Sequence, residues 1–190
     1  GPRFRTGEIR FEGDLIADPS TLADEVTKID DLGLSHEYFS RSVVREDIKH
    51  LAAYYNNYGY AYAEVDVRTD VHQEDLLVDL TYVISKHQKV HIRRVILEGN
   101  TKTRDNVVLR EMRLADGDQF SGEKLRRSTE RLNKLHYFSD VDIEPVPTGD
   151  PDEMDLKVKV VDKPTGMIGG GVGYSTYDGV FVGGNLQESN

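Results

Sequence analysis

The chain has 190 residues, with 24 lysines and arginines against 34 aspartates and glutamates, and its net charge of −10 disfavours nucleic acids and anionic membrane surfaces as partners. It has no cysteine, so disulfides and cysteine-zinc sites are excluded. It also lacks an apolar run of about eighteen residues, and therefore a membrane-spanning helix. The opening Gly-Pro is typical of a cleaved tag, so we expect an excised piece of a longer protein.

The sequence repeats itself once. The segment GEIRFEG at 7–13 matches RRVILEG at 93–99, an offset of 86, and the later segments match in the same order. These are YFS at 38–40 with QFS at 119–121, YGYAYAEVDV at 58–67 with LHYFSDVDI at 135–143, and VDLTYVI at 78–84 with MDLKVKV at 154–160. The offset falls from 81 to 77 across the second helix. Four residues are about one helical turn, so this helix can change length and keep its buried face in register.

The pattern of each unit predicts β-α-α-β-β. In unit one, Asp18-Pro19 is a typical helix start, because Asp is a good N-cap and Pro suits the first helical position. Tyr58 and Tyr62 are expected to fill the junction between the second helix and the next strand. The remaining inward positions are Ile9, Phe11, Leu22, Val26, Ile29, Val44, Ile48, Leu51, Tyr55, Val65, Val67, Val78, Leu80, Tyr82 and Ile84.

Unit two follows the same pattern, with its first helix expected to begin near Thr103. Its second helix carries a basic cluster of Arg126, Arg127, Arg131 and Lys134, for which a solvated helix face is favoured over a binding patch. The inward positions are Val95, Leu97, Val108, Leu109, Met112, Leu125, Thr129, Leu132, Leu135, Phe138, Val141, Ile143, Met154, Leu156, Val158 and Val160.

The predicted fold class is α+β, with two tandem units at residues 3–86 and 89–163. Antiparallel helices on one face of the sheet would make strand three parallel to strand one and antiparallel to strand two. The sheet order is then 1-3-2, with strand two at an edge. The loop at 85–89 is too short for independent tumbling, so we expect a semi-rigid array. Residues 3–88 hold 17 acids and 9 bases, and 89–163 hold 15 of each, an asymmetry that suggests protein partners.

A glycine-rich stretch closes the chain at 165–190. It lacks the Gly-Lys-Ser/Thr or third glycine of a phosphate loop, and no helical pattern follows it. Even positions from Ile168 to Thr176 alternate with Gly or Ser, and Asp178-Gly179 is a strong hairpin signal. Each arm is about ten residues long, the length of a transmembrane β-strand. From this stretch alone, a soluble hairpin at a sheet edge is an equal alternative.

Enzymatic, metal and nucleic-acid sites find little support. His87 and His91 are four residues apart but straddle a loop and a strand, and no nucleophile-base pair is recognisable, so we predict no metal, no cofactor and no enzyme. The six histidines are His36, His50, His72, His87, His91 and His136. The unit order is also similar to nucleic-acid-binding KH domains, but the G-x-x-G between their helices is absent. A soluble enzyme with a dispersed site stays open as an alternative.

The second strand of each unit is a candidate interaction site. Outward charges on an edge strand prevent permanent aggregation, yet the edge can still pair briefly with an extended peptide through its backbone. The outward residues are Glu64, Asp66 and Arg68 in unit one, and Asp140, Asp142 and Glu144 in unit two. We expect proline at Asp66 or Asp142 to impair pairing with little loss of fold, and replacement of Val65 or Val141 to unfold a unit.

These features together resemble the BamA family of outer-membrane β-barrel assembly factors, specifically its last two polypeptide-transport-associated (POTRA) domains and the first barrel strands. The most specific stretches are GYAYAEV at 59–65, VLREMR at 108–113, RLNKLHYF at 131–138 and TGMIGGGVGYSTYDGV at 165–180. The resemblance implies that 3–86 is the fourth POTRA domain, that 89–163 is the fifth, and that 165–190 begins a truncated barrel.

The resemblance also implies a function. By this resemblance, the chain would be a periplasmic arm at the outer membrane of a Gram-negative bacterium. The arm would receive unfolded outer-membrane proteins and dock accessory lipoproteins, with no nucleic acid involved. The docking segment of the family would include Glu111 and Arg113 here, and His136 stands where relatives commonly have glycine. A related translocation or secretion transporter is the alternative within the superfamily.

Overall fold

The structure is a computed structural model that describes residues 3–26, 37–164, 166–175 and 179–188, the last two ranges by their backbone alone. Ile29 of the predicted helix stripe and Asp178 of the predicted turn lie outside these residues. The described elements form two three-stranded sheets, each with its helices, and one two-stranded sheet. None of the helices in these residues is long and apolar enough to span a membrane.

Unit one, which we call domain one, has the predicted β-α-α-β-β order. Its elements are β1 (Arg5–Gly13), α1 (Pro19–Val26), α2 (Arg41–Asn57), β2 (Glu64–His72) and β3 (Leu77–Ser85). The central strand β3 pairs with β1 in parallel and with β2 antiparallel. The sheet order β1-β3-β2 confirms the predicted mixed sheet with the second strand at an edge.

Unit two, domain two, repeats this arrangement. Its elements are β4 (His91–Glu98), α3 (Asp105–Leu109), α4 (Gly122–Lys134), β5 (Phe138–Pro147) and β6 (Glu153–Asp162), in the sheet order β4-β6-β5. The helix α3 begins two residues after the predicted start near Thr103 and ends at Leu109, and its N-cap residue Arg104 makes no side-chain capping bond. Leu109 was predicted to face inward, but its side chain is 44% exposed, since the helix ends before its next turn can cover this position.

The repeat alignment is confirmed by equivalent backbone contacts. An isolated bridge joins Arg5 to Tyr38 in domain one, and the same bridge joins His91 to Gln119 in domain two, at the predicted offsets of 86 and 81. Each second helix begins after a serine, Ser40 or Ser121, whose side chain accepts a backbone N–H of the first turn. The helix α2 has 17 residues and α4 has 13, which is the one-turn difference expected from the offsets.

The core of domain one lies between the sheet and its helices. Leu22, Val26, Leu51 and Tyr55 pack against the β3 side chains that alternate inward. The predicted β3 face is confirmed, since Val78, Leu80, Tyr82 and Ile84 are all buried. The Tyr82 hydroxyl donates to the buried carboxylate of Asp47, so this core tyrosine has a hydrogen-bond partner.

The prediction for Tyr58 and Tyr62 is wrong. Their side chains are 50% and 37% exposed, respectively. The junction is filled instead by Tyr54, Tyr55 and Tyr60, whose rings contact one another through Tyr55. In a segment with five tyrosines at mixed spacing, the turn after α2 decides which rings face the core, and the sequence pattern does not specify this turn.

Several hydrogen bonds link the two domains. The Val90 N–H donates to Gly59 O at 2.9 Å, and the side-chain amide of Gln119 donates to Tyr58 O at 2.9 Å. At the start of α4, the Glu123 N–H donates to Asn57 Oδ1 at 2.7 Å. Val90 is fully buried. These contacts agree with the prediction of a semi-rigid array.

The C-terminal stretch contains two paired strands. The strands β7 (Gly166–Ser175) and β8 (Gly179–Glu188) are each ten residues long and pair antiparallel with each other. Their register aligns Ser175 with Gly179 and Gly166 with Glu188. The backbone therefore forms an antiparallel pair at the position predicted for the hairpin.

Candidate functional site

The strand β2 is the first candidate surface. Within the described residues it has one hydrogen-bonded neighbour, β3, so its other side is a free edge. The Asp14 N–H donates to Ile84 O at 2.9 Å, which shows that the backbone of Ile84 faces β1 and turns away from β2. Its partner across the strands is Val65. Because alternate residues of a strand direct their backbone groups to opposite sides, Val65 directs its own groups to the free edge.

The same alternation identifies every backbone position that is open on β2. Each open position lies opposite a β3 residue whose backbone N–H and C=O face β1, as those of Ile84 do. The N–H and C=O of the open position therefore point outward. These positions are Val65, Val67, Thr69 and Val71. The N–H of Asp66, by contrast, faces β3. The expectation that proline at Asp66 would leave the fold intact is therefore wrong, because this substitution removes an internal ladder bond.

The edge of β5 differs from that of β2 at two positions. Pro145 pairs with Leu156 and Pro147 with Met154, in the places that Thr69 and Val71 occupy opposite Leu80 and Val78. Proline is tolerated there because its nitrogen faces the free edge. It offers no N–H donor to an added strand. Of four outward positions on β5, only Val141 and Ile143 keep a donor.

An apolar groove lies beside the free edge of β2. Its lining includes Val67 and Val71 from the strand, and Ile48 and Val44 from the N-terminal half of α2. The side chain of Val71 is 49% exposed, since it lies beyond the cover of the helix. Arg41 and Arg45 are also among the lining residues. A strand added at β2 would direct every second side chain toward this groove.

The predicted charged residues of β2 lie on the opposite, open face of the sheet. Glu64, Asp66 and Arg68 are exposed and alternate with inward-facing valines. The Arg68 guanidinium reaches across the sheet and pairs with Glu12 of β1 at 2.9 Å. The structure brings these residues together beside the edge. Sequence reasoning identified the groove residues Val44, Ile48 and Val67 only as core positions. It missed the outward backbone set, although the prolines of unit two marked the equivalent positions.

The charged residues of β5 also lie on an open sheet face. Asp140, Asp142 and Glu144 are exposed, and the Lys159 ammonium of β6 lies 2.6 Å from the Glu144 carboxylate. The hydrogen bond from Lys159 and its positive charge lower the pKa of Glu144, and the same contact raises the pKa of Lys159. This acidic row is therefore partly neutralised within its own sheet.

The predicted docking residues follow α3. Glu111 is half-buried and accepts from Arg131 of α4, with Nε and Nη2 at 2.9 and 2.7 Å from its Oε2. Arg113 is exposed, and its backbone N–H donates to the buried Ser128 hydroxyl at 2.8 Å. Glu111 thus holds the segment against α4, while the Arg113 side chain stays available to solvent.

The basic cluster on α4 is largely neutralised. Arg126 pairs with Glu130, Arg127 with Glu123 and Arg131 with Glu111. These pairings agree with the predicted solvated helix face. For the part of the chain that the structure describes, no group of three potential metal-binding side chains is present.

One aspartate in each domain holds an irregularity in the first strand of its sheet. The Glu8 N–H donates to Asp79 Oδ1 at 2.8 Å, next to the register shift between Thr6 and Ile9. In domain two, Arg93 donates to both oxygens of Asp155 at 2.9 and 2.6 Å, beside the shift between Ile92 and Arg94. The backbone bond from Glu8 is the main cause that lowers the pKa of Asp79, and the bond from Arg93 is the main cause that lowers the pKa of Asp155.

Comparison with known proteins identifies both units. The family model POTRA, described as "Surface antigen variable number repeat", matches residues 4–87 and 90–163. Among solved structures, the BamA POTRA3-5 fragment of Haemophilus influenzae has a TM-score of 0.70 and 23% identity, over 84% of this chain and 61% of that one. BamA from Haemophilus ducreyi lacking POTRA domains 1–3 has a TM-score of 0.73 and 23% identity, over 98% of this chain and 35% of that one.

Relatives with similar sequences are also named BamA. The chain is 54% identical to the outer membrane protein assembly factor BamA of Nitratidesulfovibrio vulgaris, and 28% identical to that of Neisseria meningitidis, in each case over its full length. It spans about a quarter of the length of these relatives, 24% in both. The chain therefore belongs to the POTRA family, with two tandem domains, and is homologous along its whole length to BamA.

Proposed function

We propose that this chain is the periplasmic arm of an outer-membrane protein assembly machine, and that it receives unfolded β-barrel clients by transient strand pairing. The proposal extends what the relatives' names state, because strand pairing is argued from the geometry of β2. Its localisation is the periplasmic face of a Gram-negative outer membrane. The homologous relatives are assembly factors by name, and the proposed role is binding and transfer rather than catalysis.

The single observation that carries the pairing is the free edge of β2. Four successive outward positions, Val65 to Val71, each offer a backbone donor and acceptor, which is the requirement for β-strand addition. Backbone pairing reads little sequence, as suits clients that share strands but not sequences. The charged residues Glu64, Asp66 and Arg68 lie on the open face, where they discourage permanent stacking of a second sheet.

The groove beside β2 adds a weak preference for the client. A barrel strand alternates apolar and polar side chains. Pairing at β2 places one set over Val71 and Ile48, and the other over the charged open face. The exposed Val71 gains burial from a client side chain, at about 25 cal/mol per Å² of apolar area. An alternating amphipathic strand is therefore favoured over a uniformly polar one.

On β5, pairing would be restricted to the part next to Val141 and Ile143. We propose that Asp140, Asp142 and Glu144 flank this shorter edge. Because Pro145 and Pro147 lack donors, an added strand would pair over about half the length available on β2. Domain one is then the principal client site and domain two a secondary one.

We also propose the position of the chain within the larger protein. Residues 3–86 and 89–163 would be the fourth and fifth POTRA domains, and 165–190 would begin the transmembrane barrel. This is supported by the structural match to a BamA that retains its last POTRA domains, which extends over 98% of the chain. The ten-residue strands β7 and β8 also have the length of a tilted membrane strand.

Accessory lipoproteins are proposed to dock at the segment with Glu111 and Arg113. The bond from Arg131 fixes the Glu111 carboxylate, so the segment is already ordered before a partner binds. Arg113 has no ion-pair partner in the described part of the chain, and nearby Leu109 is 44% exposed. Arginine is enriched at protein interfaces, and the exposed Leu109 adds apolar area to the same segment.

Site-specific photocrosslinking tests the pairing. A photoreactive residue replacing Arg68, next to the edge, is expected to crosslink to an unfolded outer-membrane barrel protein. The double variant Thr69→Pro with Val71→Pro copies the β5 prolines and is expected to reduce crosslinking by about tenfold, because it removes two of four backbone donors at about 0.5–1.5 kcal/mol each.

A matched variant separates donor loss from side-chain change. Thr69→Val with Val71→Thr alters the same positions and keeps both backbone donors, so crosslinking is expected to stay near the wild-type level. Urea unfolding of each variant checks that the fold is intact. Equal crosslinking in the proline and control variants, both folded, would contradict pairing at β2.

A further inference from the structure

The end of domain two that leads into β7 carries a cluster of unpaired cations. Domain two has 15 lysines and arginines. Eight of them lie within 4 Å of a carboxylate, and Lys89 lies over the Tyr60 ring. For the other six, the described residues offer no ion-pair partner. Three of these six, Lys102, Arg104 and Lys163, line a single cleft.

The cleft has a built scaffold that presents these cations. At its centre, Asp162 accepts from the Lys102 N–H at 2.7 Å and from the Thr103 hydroxyl at 2.6 Å. Burial alone would raise the pKa of Asp162, but the bonds from Thr103, Lys102 and Thr101 outweigh it and lower the pKa. The carboxylate is therefore engaged by the loop at 101–104 instead of forming an ion pair with the cations around it.

An exposed aromatic completes the cleft. Tyr137 is among its lining residues, its side chain is 50% exposed, and its backbone C=O accepts from the Lys163 N–H at 2.8 Å. Tyrosine together with lysine and arginine is the composition found at membrane–water interfaces, where the ring lies at headgroup level and the cations meet phosphates.

The position of the cleft relates it to the membrane. Lys163 is three residues before Gly166, where β7 begins. Three extended residues span at most about 10 Å. If β7 is the first membrane strand, as the proposed function has it, the cleft lies within about one Debye length of the membrane surface at 0.1 M salt.

We propose that this cleft, defined by Lys102, Arg104, Lys163 and Tyr137, binds the phosphate groups of anionic phospholipids in the membrane leaflet that faces it. The proposal rests on the proposed function for the position of β7. The binding would fix how domain two sits against the membrane and so orient the arm.

The negative charge of the whole chain is compatible with this local contact. Residues 3–88 carry a charge of −8, from 17 acids and 9 bases, whereas 89–163 are neutral. Acidic domain one is repelled by an anionic surface, while the cleft of domain two is attracted to it. Because screening limits each effect to about 10 Å, the two act separately, and together they favour a single orientation with domain one away from the membrane.

A tryptophan probe tests the proposal on the 190-residue chain. The chain has no tryptophan, so Tyr137→Trp introduces a unique reporter at the cleft, and Tyr38→Trp, at a site that is 40% exposed in domain one, is its control. Vesicles with 30% phosphatidylglycerol are expected to shift the emission of Tyr137→Trp to the blue and to leave that of Tyr38→Trp unchanged.

Charge variants show whether the cations cause the shift. Each basic residue near an anionic surface contributes about fivefold in partitioning, so Lys102→Gln, Arg104→Gln and Lys163→Gln together are expected to weaken vesicle binding by about 100-fold. The triple variant Lys49→Gln, Lys124→Gln and Arg126→Gln makes the same change in net charge elsewhere, and its binding is expected to fall by less than about threefold. Circular dichroism checks the fold of each variant.

Three results would overturn the proposal. One is equal binding by the two charge variants. Another is equal binding to pure phosphatidylcholine vesicles, which would assign the interaction to the apolar C-terminal strands. The third is a shift produced by inorganic phosphate without any vesicle binding, which would indicate a site for a free anion. Crosslinking of clients at β2 is measured separately, so a failure here leaves the test of the proposed function intact.

Discussion

Domain one and domain two are copies of one fold whose edge strands differ in what they offer to another chain. Both β2 and β5 are antiparallel edges in the same register against their central strands. Thr69 and Val71 keep their outward donors, whereas Pro145 and Pro147 have none. Two residue differences between the duplicated units therefore change the number of backbone donors on the edge without changing the sheet.

On an edge strand, side chains alternate between the two faces of the sheet, whereas backbone groups alternate between the neighbouring strand and the free edge. The charged residues Asp66 and Asp142 point to the open face, and their N–H groups bond inward. The residues that would pair with a client are those whose side chains face the helices. Exposed charged side chains consequently mark the open face of the sheet beside the edge, whereas the outward backbone groups belong to the alternate residues, of which Val65 and Val67 are partly buried.

The largest expected effect tests whether the two domains have the same backbone conformation at the end of their first strands. Gly13 and Gly99 adopt φ of 93° and 88°, and a Cβ there would lie 2.3 Å from Ile84 O and 2.0 Å from Val160 O. Gly99→Ala and Gly13→Ala are each expected to destabilise their domain by about 4 kcal/mol or more, from backbone strain and the clash. Urea unfolding measures this. Gly149→Ala, where a Cβ meets nothing within 4 Å, is the control. A loss of stability for Gly99→Ala as small as that for Gly149→Ala would show that the two domains differ at this position.

The next effect distinguishes β2 residues whose N–H bonds to β3 from those whose N–H faces the free edge. Asp66→Pro removes a donor that bonds β3 and is expected to cost about 3 kcal/mol. Thr69→Pro removes an outward donor and is expected to cost less than about 1 kcal/mol, as the equivalent Pro145 is accommodated in β5. Chemical denaturation of the two single variants gives both values. A reversed order would contradict the assignment of outward positions.

Restoring donors to β5 should make the two edges alike. Pro145→Thr with Pro147→Val gives β5 the residues of β2, and client crosslinking from a photoreactive residue replacing Glu144 is expected to rise several-fold because two donors are regained. Pro145→Thr alone should give an intermediate rise. No change in a folded double variant would mean that the prolines do not limit pairing in domain two.

Acid stability compares the two aspartates at the strand irregularities. The hydrogen bond from Arg93 lowers the pKa of Asp155 below the ordinary range of an aspartate. The bond therefore contributes stability above the ordinary pKa, and this contribution is lost as the pH falls through the folded pKa. Arg93→Gln is expected to lower the free energy of unfolding at pH 7, by less than a core substitution, and this loss should shrink as the pH falls through the folded pKa of Asp155. Urea titrations at pH 7 and at successively more acidic pH values measure this. A pH-independent loss would argue against the ion pair.

The equivalent change in domain one provides the control for this prediction. Asp79 is held by the Glu8 backbone, and position 7 is glycine, where domain two has Arg93. Asp79→Asn and Asp155→Asn should both reduce acid sensitivity below pH 4, but only that of Asp155 should depend on the presence of Arg93.

The smallest expected effect concerns the turn after the second helix. His136 adopts a φ of 58°, in the region where Gly59 of domain one has 96°. Since a side chain in this region costs about 1–2 kcal/mol and glycine costs entropy in the unfolded chain, His136→Gly is expected to stabilise domain two by up to about 1 kcal/mol. Thermal unfolding checks this. Destabilisation would show that the imidazole makes a favourable contact.

Much of the fold was predictable from the repeat. Two occurrences of each apolar pattern gave the order of elements, the sheet order and even the one-turn difference between α2 and α4. The failures lie where the pattern is interrupted. Leu109 follows the helical spacing but falls at the end of α3, and Tyr58 lies in a turn whose conformation local spacing does not specify. The outward backbone positions of β2 were not predictable, because backbone direction has no signature in the sequence of a single strand.

The sequence by itself determined the duplication, the strand and helix periods, the charge asymmetry and the family, since these depend on residue type and spacing alone. Only the tertiary structure decided which backbone groups of β2 are free and which of the 15 basic residues of domain two lack a carboxylate partner. Both depend on neighbours that are distant in the chain: the direction of an N–H on β2 is known from the bonds of β3 to β1, and the charge at Lys163 is exposed because Asp162 is engaged by the loop at 101–104.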